Sequence, residues 1–264
     1  MTAVEQLVGL TFDSGVAYIR LQTPKRHNTL TLPLLEQLLE CFQIVAKEKH
    51  LTCIVLHAQG KSFSTGGDIT AFIANEDNLE NYSHSLVGLL NQTILAMLKI
   101  SSPIVTRVQG PVTGGSIGLV LASDLVVMAK SAFIAPYYVD VGFAPDGGWT
   151  ALLPNIISRR KALEIQLLNK HITAQEAQEL QIVHAVCAEQ DLDTQINTWV
   201  DTLKTKVPQS LTITKTLIQD ASYIKTIEDA LEQERQAFIH CISQPEALAG
   251  MKQFTSKLKT KISA

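Results

Sequence analysis

Three glycine-containing loops hold the residues of this sequence that could do chemistry. They cover residues 64–69 (STGGDI), 110–118 (GPVTGGSIG) and 140–150 (DVGFAPDGGWT). Glycine lets the backbone approach a ligand without interference from a Cβ atom. Backbone N–H groups that converge from two such loops could stabilise a negative charge that develops on an oxygen. Turn chemistry alone also explains glycine at these positions, so each loop taken singly favours a simple turn.

The second loop also offers a serine. Residues 114–118 (GGSIG) match the G-x-S-x-G pattern of a nucleophile elbow, and aspartates and histidines follow Ser116 in the order Ser, Asp, His. The candidates are Asp124, Asp140, Asp146, His171, His184 and His240. An elbow joins a strand sharply to a helix, whereas here residues 110–113 stand between the strand and the serine. The pattern therefore predicts a serine nucleophile only weakly.

Alternating short strands and helices are predicted around these loops. Residues 7–21 alternate apolar and polar about a DSG turn, which predicts an N-terminal hairpin. Apolar runs predict buried strands at 51–58, 103–110, 124–129, 132–135 and 182–187. Apolar periodicity predicts helices at 33–47 (capped by Thr31), 79–99, 155–169 and 173–181. The alternation indicates a parallel α/β protein, with the glycine loops where such enzymes commonly bind ligands.

The composition is that of a globular protein. The 264 residues are 46% hydrophobic and 18% charged, with 22 Lys+Arg against 25 Asp+Glu. That balance lacks the basic excess expected of a nucleic-acid or membrane-surface binder.

Beyond about residue 189 the pattern is helical, broken at Pro208 and Pro245. We expect a core over residues 1–199 and a helical domain over 200–264 that forms a cap or an oligomer contact.

Cysteine usage and the apolar segments indicate a cytoplasmic protein. Four scattered cysteines, with no C-x-x-C pair, predict reduced thiols rather than a zinc or redox site. The first residues show no signal-peptide pattern. The most apolar stretch, 117–129, is broken by Asp124 and is too short to span a bilayer.

Five segments, taken in order, resemble the motifs of the crotonase superfamily, the enoyl-CoA hydratases and isomerases. They are PKRHNTL (24–30), KSFSTGGDI (61–69), VQGPVTGGSIGLVLASDLVVMAKSAFIAP (108–136), VGFAPDGGWTALLP (141–154) and HITAQEAQELQIVHAV (171–186). The resemblance is colinear over nearly all of the chain. It implies an α/β fold, a spiral of ββα turns, with a C-terminal helical domain that builds homotrimers or hexamers.

The resemblance also implies an acyl-CoA substrate, with no metal and no redox cofactor, since CoA belongs to the substrate. It places the oxyanion hole on the N–H groups of Gly67 and Gly115, within loops whose Thr65, Gly66, Ile69 and Gly114 would lie against the substrate. Lys25 or Arg26 would contact the CoA phosphates, and Phe254 and Lys257 would reach the CoA of a neighbouring subunit. Asp68, in the same loop, would chiefly hold the loop backbone, and Tyr138 would line the acyl pocket.

The sequence departs from the hydratase pattern at both catalytic carboxylates. Hydratases of this kind place water across a double bond with two glutamates, and the resemblance puts their positions at Gly118 and Tyr138. Asp146 instead stands where hydratases have glycine, at a position that resembles the base of 1,2-epoxyphenylacetyl-CoA isomerases and the nucleophile of 4-chlorobenzoyl-CoA dehalogenase. Tyr138 replaces the tryptophan of that dehalogenase, which weakens the second comparison.

Asp146 is therefore the expected general base of an enoyl-CoA isomerase. A free aspartate has a pKa near ~4, too low to take a proton α to a thioester unaided, so burial must raise it. Without the resemblance, the turn signal PDGG would favour a structural role. Three alternatives stay open: a hydratase with atypical residues, a serine hydrolase that uses Ser116, and a non-catalytic acyl-CoA binder.

Overall fold

A computed structural model describes residues 5–262, and the side chains of Arg26 and residues 257–262 lie outside the described part. Within it the strands are β1 Val8–Asp13, β2 Val16–Leu21, β3 Cys53–Ala58, β4 Ile104–Val108, β5 Val112–Thr113, β6 Leu125–Ala129, β7 Phe133–Ala135, β8 Ile172–Thr173 and β9 Ala185–Cys187. The helices are α1 Leu32–Val45, α2 Ile69–Ala74, α3 Leu79–Lys99, α4 Ile117–Leu121, α5 Tyr138–Val141, α6 Leu153–Ile156, α7 Arg159–Leu167, α8 Ala174–Glu179, α9 Leu192–Lys204, α10 Pro208–Ile218, α11 Ala221–Ile242 and α12 Pro245–Ile262.

Two sheets organise the core. The larger has the order β1-β2-β3-β4-β6-β9, in which β1 and β2 pair antiparallel and every later pair is parallel. The smaller has the order β5-β7-β8. Crossover connections between parallel strands carry the helices, which is why strands and helices alternate in the sequence. The predicted parallel α/β architecture is confirmed.

The N-terminal hairpin forms as its pattern predicts. β1 and β2 pair from Val8 with Leu21 to Asp13 with Val16. The two turn residues, Ser14 and Gly15, have φ of 48° and 78°. Positive φ at both positions is what a two-residue hairpin turn requires, because it matches the twist of the flanking strands.

Two long helices form where the apolar periodicity of the sequence predicts them. The Thr31 side chain accepts a hydrogen bond from Leu34 N and caps α1, whose buried residues are Leu34, Leu35, Leu38, Cys41, Phe42 and Val45. α3 occupies the predicted 79–99. α1 buries its apolar face against β1, β2 and α3, and α3 packs against α1 and α11.

Other boundaries differ from the prediction because polar side chains cap helices locally. The predicted helix at 155–169 is two helices, since Ser158 caps α7 through a hydrogen bond from Lys161 N. A further break separates α10 from α11, where Asp220 accepts from Tyr223 N. α2 falls almost entirely in residues 70–78, for which no element was predicted, and the Asp68 side chain caps it.

Only helices follow β9 in the described range, and they pack back onto the core. Lys215 of α10 is buried, and its Nζ lies 2.6 Å from Asp124 Oδ2 and 3.3 Å from Ser102 O, next to β4 and β6. α12 covers α5 and α2 of its own chain. The expected boundary at 199/200 falls within α9, and the division into two domains stays a prediction. None of the described helices is both long and apolar enough to cross a membrane.

Candidate active site

The first two glycine loops touch each other through their backbones. Ser64 and Val112 form a parallel bridge. Gly66 has φ of 73°, and a Cβ there would lie 2.6 Å from Thr113 O. Only glycine permits both this conformation and this approach. The predicted convergence of the two loops is present in the structure.

The third loop closes onto the second. Gly147 has φ of 65°, and a Cβ on it would lie 2.4 Å from Gly115 O. The fully buried Trp149 donates from its indole N–H to Gly114 O at 2.9 Å. These contacts join the loop that carries Asp146 to the loop that carries Gly115, so the three loops form one continuous unit.

Two N–H groups at this junction have no hydrogen-bond acceptor among the described residues. Within residues 5–262, neither the Gly67 N–H nor the Gly115 N–H donates a hydrogen bond to another protein group. Gly67 packs against the ring of Phe72, since a Cβ on Gly67 would lie 2.9 Å from Phe72 Cε2. The Phe72 ring in turn contacts Phe143 and Phe238 at centroid distances of 6.1 and 6.0 Å. An apolar wall of this kind strengthens electrostatic interactions beside it.

Asp146 is a buried carboxyl group beside the second loop. It is only 7% exposed. A Cβ on Gly115 would lie 2.9 Å from Asp146 Oδ1, so the carboxyl group faces the backbone of that glycine. Burial raises the pKa of Asp146 to about 7, while a hydrogen bond from Tyr138 lowers the pKa and the charge of Glu234 raises it. A carboxyl group with this pKa can accept and return a proton near neutral pH.

The Tyr138 hydroxyl donates to the Asp146 carboxylate and also lies 3.2 Å from Asp146 O. Burial and the neighbouring Asp146 raise the pKa of Tyr138 well above its usual value, so the phenol stays protonated and acts as a donor. The family resemblance predicts that Tyr138 lines the acyl pocket. Its direct contact with Asp146 was not anticipated, because the separation of eight residues spans α5 and a loop whose path the sequence does not define.

Replacing Tyr138 with phenylalanine should move the acid limb of the pH–rate profile to higher pH. The hydrogen bond from Tyr138 favours the ionised form of Asp146, so its loss should raise the pKa of Asp146 from about 7 to a higher value. We expect kcat at pH 7 to fall about tenfold, since less of the base is ionised and its carboxylate is less well held. Steady-state kinetics between pH 5 and 9 measure both effects, and an acid limb that moves to lower pH would contradict this role. Tyr82→Phe is the matched control because the Tyr82 ring contacts Phe72 rather than Asp146.

Gly118 has no room for a side chain. A Cβ there would lie 2.4 Å from Ile94 Cδ1 and 2.6 Å from Gly147 O. The closure of the third loop onto the second fills the space that a glutamate at this position would need. The resemblance gives the hydratase carboxylates the positions of Gly118 and Tyr138. At the first a side chain would clash with Ile94 and Gly147, and at the second the tyrosine hydroxyl donates to Asp146.

The environment of Ser116 argues against a nucleophilic role. Its hydroxyl is fully buried and donates to Thr113 O at 2.7 Å and to Ser64 O at 3.0 Å. It also accepts from Thr113 N at 3.2 Å. Among the described residues, no histidine hydrogen-bonds to it. Ser116 ties the second loop to the first, and the G-x-S-x-G match arises from that structural role.

Replacing Ser116 with alanine should leave catalysis within about fivefold of wild type. The lost buried hydrogen bonds should destabilise the fold by about 1–3 kcal/mol. The variant separates a hydrolase from the other hypotheses, since loss of a nucleophile would abolish turnover. Kinetics and a urea melt measure the two quantities, and a folded variant without any activity would restore Ser116 as a catalytic residue.

The other residues that the resemblance places at the substrate lie in or near the glycine loops, or outside the described part of the chain. Asp68 accepts from Thr70 N at 2.9 Å and from Ala71 N at 3.3 Å, which is the structural role expected of it. Thr65, Ile69 and Gly114 are half-buried, and Lys25 is exposed. The side chains of Arg26 and Lys257 lie outside the described residues. The Phe254 ring lies 5.7 Å from Tyr137 of the same chain, and its role toward substrate stays a prediction.

Glu234 is a site residue that the sequence analysis missed. It lies on α11 in line with the buried Ile227, Leu231 and Phe238, at helical spacing. Its carboxylate accepts from Gly148 N, Thr150 N, Thr150 Oγ1 and Ala151 N at 2.6–2.9 Å. The available signal was a glutamate within an apolar helix stripe, since such a residue is buried only when its carboxylate is satisfied.

Comparison with known proteins gives consistent matches. The family profile for enoyl-CoA hydratase/isomerase matches residues 11–263. A 4-chlorobenzoyl coenzyme A dehalogenase from Arthrobacter sp is 29% identical over 95% of this chain and 91% of its own length. A trans-2-decenoyl-[acyl-carrier-protein] isomerase from Streptococcus mutans is 26% identical over 94% of this chain and 95% of its own length.

Solved structures share the fold. The crystal structure of an enoyl-CoA hydratase from Bacillus halodurans superposes with a TM-score of 0.89 over 94% of this chain and 99% of that one, at 22% identity. At that identity the likeness concerns the architecture, which is the predicted core of ββα turns with a helical C-terminal region.

Proposed function

The chain belongs to the enoyl-CoA hydratase/isomerase family, and from that premise we propose that it moves the double bond of an enoyl-CoA, with Asp146 as the general base. The observation that carries the proposal is the buried Asp146 carboxyl group, which faces Gly115 and has a pKa of about 7. A base with a pKa near the working pH is most effective in proton transfer.

In this mechanism the thioester oxygen of a 3-enoyl-CoA accepts hydrogen bonds from the N–H groups of Gly67 and Gly115. Asp146 takes a proton from C2, and the electron pair moves onto that oxygen to give a dienolate. The same carboxylic acid then returns the proton to C4, so the 2-enoyl-CoA product has the mass of the substrate. Each oxyanion donor contributes roughly 3–4 kcal/mol to transition-state stabilisation in acyl-transfer enzymes.

Isomerisation is favoured over hydration because one placed carboxyl group suffices for it. Addition of water to a double bond asks for two placed groups, one to activate the water and one to protonate carbon. The resemblance gives those two groups the positions of Gly118 and Tyr138. Gly118 has no side chain, and a Cβ there would meet Ile94 and Gly147, while Tyr138 offers a phenol in place of a carboxyl group.

A second candidate reaction uses Asp146 as a nucleophile. The observation that favours it is the 29% identity to the Arthrobacter dehalogenase over 95% of the chain. Both reactions need the ionised carboxylate, so the pKa of about 7 of Asp146 does not separate a nucleophile from a base. Release of chloride from 4-chlorobenzoyl-CoA would support this reaction over isomerisation.

Chromatography with mass spectrometry on 3-enoyl-CoA and 2-enoyl-CoA thioesters, aliphatic and aromatic, tests the proposal. We expect a product of unchanged mass and shifted retention. A gain of one water would identify a hydratase with atypical residues. Free CoA would identify a thioester hydrolase, and binding without any product would identify an acyl-CoA binder.

A further inference from the structure

A second buried carboxylate lies behind the loop that carries Asp146. Glu234 is 4% exposed, and it projects from the middle of the 22-residue helix α11. A buried carboxylate is costly unless hydrogen bonds replace its hydration. All four donors to Glu234 come from one segment, residues 148–151.

The four hydrogen bonds divide between the two carboxylate oxygens. Oε2 accepts from Gly148 N at 2.8 Å. Oε1 accepts from Thr150 N at 2.6 Å, Thr150 Oγ1 at 2.8 Å and Ala151 N at 2.9 Å. Burial raises the pKa of Glu234 above its usual value, and the backbone donors to both oxygens limit that rise because they favour the ionised form.

This contact attaches the loop that carries Asp146 to α11, in addition to its contact with the second glycine loop. Gly147 lies against Gly115, and Gly148, the next residue, donates to Glu234. Gly148 itself has φ of 90°, a conformation that glycine adopts readily and other residues rarely adopt. Asp146 is thus held between the Gly115 turn and α11.

The titratable groups that act on Asp146 come from two elements. Tyr138 of α5 donates a hydrogen bond to it, and Glu234 of α11 adds a like charge. The second loop and α3 face the same region with Gly115 and Leu90, which do not titrate. Tyr138 favours the ionised Asp146 and Glu234 favours the protonated one, so the two act in opposite directions.

We propose that Glu234 is a positioning residue for Asp146: it anchors residues 148–151 from α11 and keeps a second negative charge behind the base. The inference rests on the proposed role of Asp146 as the base. It assigns to the C-terminal helical region a part in the reaction, although Glu234 does not touch the reacting atoms.

Glu234→Gln and Glu234→Asp separate the two contributions. The glutamine variant removes the charge, so the acid limb of the kcat/KM profile should move to lower pH by at least about half a unit. Its amide NH₂ also opposes one backbone donor, so kcat should fall about tenfold with KM within about twofold of wild type. The aspartate variant keeps the charge but is shorter, so kcat should fall while the acid limb stays in place.

Glu232→Gln is the matched control. Glu232 lies on the same helix, is half-buried, and pairs with Arg235 at 2.7 Å rather than with residues 148–151, so both the kcat and the acid limb of this variant should equal those of wild type. An unchanged acid limb and unchanged kcat in folded Glu234→Gln would overturn the inference. If the glutamine variant does not fold, Glu234→Asp and Thr150→Val decide, and wild-type kcat in both would overturn it.

Failure of this inference differs from failure of the proposed function. Full activity in Asp146→Asn would show that Asp146 is not the base. An inactive Asp146→Asn together with a wild-type profile in Glu234→Gln would leave Asp146 as the base and remove only the role of Glu234.

Discussion

Asp146→Asn should lower kcat for 3-enoyl-CoA isomerisation by about 10³-fold, with KM within about threefold of wild type. Asparagine keeps the size of the side chain and can still accept the hydrogen bond from Tyr138, but it cannot take a proton. The N–H groups of Gly67 and Gly115 remain, so acyl-CoA binding should survive. Steady-state kinetics and calorimetric titration with a non-reacting acyl-CoA measure the two effects.

The stability of this variant gives an independent check on the burial of Asp146. The folded pKa of about 7 lies above the ordinary value of 3.8, so ionisation of Asp146 opposes folding. Wild type should therefore lose stability as the pH rises from about 4 through 7, and the asparagine variant should not share that loss. At pH 8 the variant should melt at or above the wild-type temperature. A variant that melts lower at pH 8 would show that the carboxylate stabilises the fold.

Asp229→Asn is the control for the loss of a carboxylate. Asp229 is exposed and pairs with Lys225 at 2.8 Å on α11, so its replacement should leave kcat and the melting temperature unchanged. An Asp146→Asn variant with kcat within tenfold of wild type would contradict the role of Asp146 as the base.

Gly147→Ala should lower kcat by about 10²-fold or more and destabilise the protein by about 3 kcal/mol or more. The backbone at Gly147 has φ of 65°, which costs an alanine about 1–2 kcal/mol. The added Cβ would also lie 2.4 Å from Gly115 O, so the second and third loops must separate. Separation displaces Asp146 from Gly115, and a shift of about 1 Å in a reacting group costs about 10²-fold in rate. Kinetics and a urea melt check both effects.

Gly88→Ala is the matched glycine control. Gly88 lies within α3, and the nearest atom to an added Cβ is Arg235 Nη1 at 3.6 Å, an ordinary contact. Alanine in a helix is favoured over glycine by about 1 kcal/mol, so this variant should be as stable as wild type or more so. Wild-type activity in Gly147→Ala would show that the contact between the loops does not position Asp146.

The elements of the fold that could be predicted are those that neighbouring residues alone determine. The DSG turn, the Thr31 cap and the apolar face of α1 each depend on neighbouring residues, and the structure confirms them. The break at Asp220 and the short helix α2 were missed because aspartate caps a helix and forms a turn with the same side-chain hydrogen bonds.

The site was predicted less completely because its contacts join distant segments. The glycine loops and Asp146 could be proposed from their resemblance to a family. The hydrogen bond from Tyr138 depends on how α5 turns, and that from Glu234 joins residues 86 positions apart. The absence of space at Gly118 likewise depends on Ile94 and Gly147, which approach it only in the folded chain.

Proton transfer by Asp146 is tested most directly by isomerisation of a 3-enoyl-CoA in D₂O, followed by mass spectrometry of substrate and product with wild type and Asp146→Asn. We expect wild type to form a 2-enoyl-CoA without added water, with deuterium in the product only if Asp146 exchanges its proton with solvent during turnover. With Asp146→Asn we expect both product formation and exchange at C2 to be about 10³-fold slower than with wild type. A product that has gained water, or exchange by the variant at the wild-type rate, would contradict a proton transfer carried out by Asp146.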